Sequence, residues 1–114
     1  MSFINRKGKT PSRRKMVTRQ QISDVISYGY IVTTKRYGKD TQRSLERLIT
    51  LSKNGSLENK RRADSILLGT SKYKKEELMK KLFEEIGPKY KERNGGYSRL
   101  LKLSAENRVI LSLV

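Results

Sequence analysis

The chain contains no cysteine and no histidine. The first absence excludes disulfides and thiolate metal sites and fits a reducing compartment. The second removes the usual general base and the commonest zinc ligand. Chemistry run by a thiol, an imidazole or zinc is thereby set aside, and no metal or cofactor is expected. Apolar residues are also scarce, at 34% of 114 residues, so a single domain with a modest core is expected. No run approaches the ~18 apolar residues of a membrane-spanning helix. No apolar segment follows the basic N-terminus to make a secretory signal. Met1-Ser2 does not fit a myristoylation signal, and there is no cysteine to acylate. A membrane partner is therefore not expected.

Acids are few as well, 11 against 27 Lys and Arg, which leaves a net charge of +16. So large an excess repels itself until a polyanion neutralises it, and nucleic acid is the commonest such partner. The cations are unevenly placed. Residues 1–20 hold Arg6, Lys7, Lys9, Arg13, Arg14, Lys15 and Arg19 and no acid. Residues 63–92 carry seven cations and six acids and are nearly neutral. The surplus lies in the N-terminal third and over residues 35–62. We read residues 1–10 as a basic arm, either solvated or ordered on contact with its partner, and residues 11–114 as one domain.

Thr10-Pro11 starts a helix, a hydroxyl at the cap and proline at the first helical position. It runs to about Tyr28 with Ile22, Val25, Ile26 and Met16 or Val17 inward, and Gly29 ends it. Tyr30 to Thr34 is short and β-branched and reads as a strand. A second helix follows from Arg36 to Lys53, with Leu45, Leu48, Ile49 and Leu51 apolar and Gly38 weakening its first turns. Asn54-Gly55 stops it. Ser56 caps a third helix, Leu57 to about Leu68, stopped by Gly69, on which Ala63, Ile66 and Leu67 face the core and Lys60, Arg61 and Arg62 splay around the turn.

The fourth helix, Lys74 to Ile86, has the cleanest period: Leu78, Met79, Leu82, Phe83 and Ile86. Pairs Glu77–Lys81, Lys80–Glu84 and Lys81–Glu85 are expected along its outside. They argue against Glu76-Glu77 or Glu84-Glu85 as a catalytic carboxylate pair. Gly87-Pro88 stops this helix. Tyr97 to Ser104 alternates, a turn sits at Ala105-Glu106-Asn107, and Arg108 to Val114 completes a hairpin. The chain is thus α+β, in the order α-β-α-α-α-β-β, with a small three-stranded sheet and helices packed on it in two layers.

Between the fourth helix and the hairpin lies Gly87-Pro88-Lys89-Tyr90-Lys91-Glu92-Arg93-Asn94-Gly95-Gly96-Tyr97-Ser98-Arg99. Gly95 and Gly96 permit positive φ and close approach of another backbone. Lys89, Arg93 and Arg99 suit phosphate oxygens, and Tyr90 and Tyr97 offer rings for stacking on bases. Tyr97 fits the core at the start of a strand equally well.

With Leu48-Ile49-Thr50-Leu51-Ser52-Lys53, Leu82-Phe83, Gly87 to Tyr90, and Arg93-Asn94-Gly95-Gly96-Tyr97-Ser98-Arg99-Leu100-Leu101-Lys102-Leu103 in this order and spacing, the chain closely resembles the bacterial large-subunit ribosomal proteins of the L-seventeen family. Gly8, Arg14, Thr33-Thr34 and Arg61-Arg62 also fall where that pattern has them. The resemblance covers nearly the whole chain. It implies the same α-β-α-α-α-β-β fold, and binding to large-subunit ribosomal RNA near the exit of the nascent-peptide tunnel with other ribosomal proteins alongside, in the ribosome of a cytoplasm or an organelle. One segment departs: Ser104 to Arg108 makes a tight turn where members commonly carry an Arg-Gly-Asp-containing excursion.

The function expected is structural: a clamp on folded RNA, neither an enzyme nor a binder of a small-molecule substrate. Phosphate contacts would supply most of the affinity, and shape and splayed loops the recognition. The candidate contacts are the seven cations of residues 1–20, then Lys35, Arg36, Arg43 and Arg47, then Lys60, Arg61 and Arg62, and finally Lys89, Tyr90, Arg93, Gly95, Gly96, Tyr97 and Arg99. The lysines of the fourth helix are read as solvated surface. A DNA-binding regulator is the first rival, disfavoured because no single recognition helix collects the cations. A carboxylate-and-metal RNA-processing enzyme is the second, and it lacks a convergent acid cluster.

Overall fold

The computed structural model describes residues 11–104 and 107–114, so Thr10, the arm cations Arg6, Lys7 and Lys9, and the centre of the last turn lie outside the described residues. Helix α1 (Pro11–Tyr28) places Ile22, Val25 and Ile26 in the core, at the i, i+3, i+4 spacing of one helical face. Its first turns are exposed, Met16 among them, while Val17 is half-buried. Gly29 closes the helix at φ +89°, its N–H 2.7 Å from the Val25 carbonyl. Strand β1 (Tyr30–Thr34) leads directly into α2 (Lys35–Ser52), because the Thr34 hydroxyl accepts from the Tyr37 N–H and caps the helix.

Gly38 does more than weaken α2. It is buried, and a Cβ at that position would lie 2.8 Å from Val109 Cγ2 and 3.0 Å from Leu100 Cδ1. The missing side chain lets the helix settle onto the sheet. Leu45, Leu48 and Ile49 then fill the space beneath.

Helix α3 (Leu57–Ile66) is capped by Ser56, whose hydroxyl accepts from the Asn59 N–H at 3.2 Å. It ends at Ile66, short of Leu68 and well before Gly69. Leu67 is already extended (ψ 146°), and the Leu68 N–H is taken by the Ser23 hydroxyl of α1 at 2.8 Å. A tertiary hydrogen bond has replaced a helical one.

The fourth helix also differs from expectation at its end. Helix α4 (Lys75–Lys81) widens into a π-helical turn (Leu82–Ile86) and continues through one more helical turn (Gly87–Lys89), so Gly87-Pro88 does not stop it. The wide turn, with the Gly87 N–H on the Leu82 carbonyl, falls just before Pro88, which lacks the N–H a regular ladder would use. The three expected i,i+4 ion pairs are not made. Lys81 instead donates to the Ser27 carbonyl at 3.3 Å and sits 5.1 Å from the Tyr73 ring centroid, and the Glu77 carboxylate accepts from the Lys74 N–H at 3.1 Å. Past Lys81 the wider turn no longer stacks residues four apart. Ion pairs among the described residues join Arg62 to Glu58 and Lys75 to Asp64.

Strands β2 (Ser98–Lys102) and β3 (Arg108–Leu113) form the expected hairpin, and β1 adds to the other side of β3, giving an antiparallel sheet of order β1-β3-β2. Leu111 and Val109 face the helices. The register aligns Val32, Ile110 and Leu101 in one cross-strand row on the opposite face, where Val32 and Leu101 are exposed. Helices on one side and an open sheet face on the other make the two-layer α+β architecture read from the sequence.

Candidate nucleic-acid interface

Four cations recur at every fourth position of α2: Lys35, Lys39, Arg43 and Arg47, all exposed. Residues four apart are neighbours on a helix, so they form a slowly winding stripe, with Arg36 beside its first member. Two shallow clefts run along it. One, of about 540 Å³, is lined by Thr34, Lys35, Arg36, Lys39 and Asn107. The other, of about 580 Å³, is lined by Lys39, Gln42, Arg43, Glu46, Arg47 and Leu100. Lys39 belongs to both. It is not among the candidates named from the sequence, although its spacing from Lys35 and Arg43 is the signal that finds it.

On α1, Arg13, Arg14 and Lys15 are exposed, whereas Arg19 is half-buried, its Nε donating to the Ile66 carbonyl at 2.9 Å. Arg19 therefore ties α1 to the end of α3 as well as presenting charge. On α3, Lys60, Arg61 and Arg62 are exposed, and Arg62 lies 2.7 Å from Glu58. That exposed pair contributes little to stability but locally offsets one of the three charges.

The aromatic half of the glycine-rich segment requires a correction. Tyr90 and Tyr97 are 3% and 1% exposed, with ring centroids 5.3 Å apart and planes at 58°. Neither ring offers a face to RNA. Tyr90 donates its hydroxyl to the Val114 carbonyl at 2.6 Å, and the Tyr97 hydroxyl pairs with that of Thr50 at 3.0 Å. Lys53 Nζ stands 4.7 Å from the Tyr97 ring centroid and also donates to the Arg93 carbonyl. Burial alone would raise the Tyr97 phenol, but hydrogen bonding from Lys53 and Thr50, with the Lys53 charge, outweighs it and holds the phenol below its ordinary value.

The loop is thus pinned by the C-terminal half of α2. Glu46 accepts from both the Ser98 N–H (2.8 Å) and the Ser98 hydroxyl (2.6 Å), fixing the chain just past the two glycines. Gly95 (φ +126°) and Gly96 (φ +63°) make the turn, and a Cβ on either would meet nothing within 4 Å. Their requirement is conformational, not close packing. Lys89, Arg93 and Arg99 remain on the surface around them. Replacing Glu46 with alanine strands two donors of buried Ser98, so we expect destabilisation by about 2 kcal/mol, read as a lower urea midpoint at unchanged slope.

The surface of α4 contrasts with that of α2. Its cleft of about 520 Å³ interleaves Lys80 and Lys81 with Glu77, Glu84 and Glu85. A polyanion meets mixed charge there and a predominantly cationic surface on α1 and α2. Among the described residues, no helix is long and apolar enough to cross a membrane.

A family model described as Ribosomal protein L17 matches residues 17–112. Large ribosomal subunit protein bL17 of Ureaplasma parvum serovar 3 is 55% identical over 103 residues, spanning 90% of this chain and 87% of that protein. The protein of the same name from Malacoplasma penetrans is 50% identical over the same length, and that from Thermoanaerobacter sp. strain X514 is 41% identical over 96 residues, 84% of this chain and 80% of its own.

Proposed function

We propose that this chain, which belongs to the ribosomal protein L17 family, binds and stabilises folded large-subunit ribosomal RNA through phosphate and shape contacts, near the exit of the nascent-peptide tunnel. It is a structural constituent of the large ribosomal subunit, with ribosomal RNA and other ribosomal proteins as its partners. The observation that carries the RNA reading is the exposed cation surface of α1 and α2, set against the mixed charge of α4. An A-form duplex hides its major groove, so a winding stripe that follows phosphates fits RNA better than one reading helix would. The tunnel-exit placement is supported by the family resemblance. Contact with neighbouring proteins is supported by the Val32–Ile110–Leu101 row, an aliphatic strip on an uncovered sheet face.

The test is binding of the purified chain to protein-free large-subunit ribosomal RNA and to duplex DNA of equal length at matched salt. Tighter binding to the folded RNA, together with co-sedimentation with large subunits through a high-salt cushion, is the expected result. Equal affinity for the two nucleic acids would return the reading to nonspecific polyanion binding.

A further inference from the structure

Where α1, α2 and α3 meet there is a cleft of about 410 Å³ whose aliphatic floor is half-buried Ile66, backed by Ile22 in the core beneath, and whose rim is cationic, Arg14, Lys15 and Arg19. We propose that this cleft receives a single RNA nucleotide drawn out of its stack, with the base on the aliphatic floor and the phosphate at the Arg14–Lys15 rim. The proposal rests on the RNA-binding reading and deepens it at one place.

Three observations carry it. A site that served phosphate alone would need no apolar floor, and two aliphatic side chains line this cleft, where Leu100 alone lines one of the clefts along α2 and none lines the other. Here the floor and rim together match the two halves of a nucleotide. Second, Arg19 is held by its Nε on the Ile66 carbonyl, with Nη1 3.5 Å from Met16 Sδ, so its guanidinium plane is fixed at the cleft wall before any ligand arrives. A fixed guanidinium plane is a stacking surface for an unstacked base, and the fold has already met the entropic cost of immobilising it. Third, no carboxylate lines this cleft, in contrast to Glu46 beside the α2 stripe and the acids along α4. The remaining polar groups are the hydroxyls of Thr18, Ser44 and Ser65. Hydroxyls both donate and accept, which suits a base edge or a 2′-hydroxyl without demanding one base. Ser65 gives its proton to the Arg62 carbonyl at 2.6 Å and so presents its lone pairs. The volume lies within the ~300–1,000 Å³ typical of small-ligand sites.

The experiment uses the full chain and two RNA hairpins, one carrying an unpaired 2-aminopurine bulge and one with that nucleotide paired. Fluorescence titration is expected to give about tenfold tighter binding to the bulged hairpin, the effect of one ring held against a guanidinium and partly shielded from water. Ser65→Trp, at an exposed position of α3, and Ser44→Trp, from the α2 side, fill the cleft without removing a cation. Each is expected to bring the bulged-over-paired ratio to about one, with thermal melting checking that the fold persists. Equal binding of both hairpins by the parent overturns the cleft proposal alone. So does a retained preference in the folded Ser65→Trp chain. Binding of neither hairpin overturns the RNA reading with it.

Discussion

Replacing Gly87 with alanine is expected to lower the stability of the chain by about 2 kcal/mol, although alanine is the better helix former. Gly87 is helical (φ −55°), so no positive φ explains its identity. The constraint is steric: a Cβ there would sit 2.6 Å from the Ser52 carbonyl oxygen, 3.1 Å from its carbon and 3.2 Å from Ser52 Oγ. Two helix backbones, the end of α2 and the turn after α4, touch at this point. Overpacking typically costs ~1–3 kcal/mol, and a backbone partner that cannot rotate away puts this site at the upper end. The helical preference for alanine over glycine offsets about 1 kcal/mol of that. The difference corresponds to a melting temperature lower by roughly 8 °C for a chain of 114 residues. Gly38→Ala is the internal comparison, because its close neighbours at 2.8 and 3.0 Å are side-chain carbons of Val109 and Leu100. Those can yield, so its effect should be the smaller of the two. A Gly87→Ala chain that melts at or above the parent temperature would show that the helices separate at no cost.

Neither glycine's role was visible in the sequence, and the reason is physical. Locally, Gly38 looks like a weak spot in a helix and Gly87-Pro88 looks like a stop. What fixes both is a partner far away in the chain, Val109 for one and Ser52 for the other. The same holds for α3, whose last turn is decided by the Ser23 hydroxyl on α1. Tyr90 shows the complementary failure, while for Tyr97 the core alternative at the strand start is the one the structure takes. Their spacing among glycines and cations suits stacking on RNA, yet the rings complete a core too poor in large apolar residues to do without them. What periodicity alone determines was legible: the buried faces of α1, α2 and α4, the β-branched first strand, the closing hairpin and the element order. The cations were legible as a population. So was the grouping of Lys35, Arg36, Arg43 and Arg47, but Lys39 was passed over, because its place among them shows only when the four-residue spacing is followed through the first turns of α2.

The α2 stripe gives the largest expected effect on binding. Changing Lys35, Lys39, Arg43 and Arg47 together to alanine should flatten the slope of log affinity against log salt by about 3 units, at ~0.7–0.9 units for each phosphate no longer neutralised. Between 50 and 200 mM salt the parent would then weaken by roughly 60-fold more than the variant. Stability should not fall. All four side chains are exposed, alanine is the strongest helix former, and the change relieves self-repulsion in a chain of net charge +16. A flattened slope with an equal or higher melting temperature separates an interface from a structural element, which a substitution at Arg19 could not do because its Nε also anchors Ile66. Lys80→Ala on α4, among Glu77, Glu84 and Glu85, is the matched control and should leave the slope where it was. Should the quadruple variant keep the parent slope while the RNA still binds, the phosphates are met elsewhere, and the α1 cations become the first place to look.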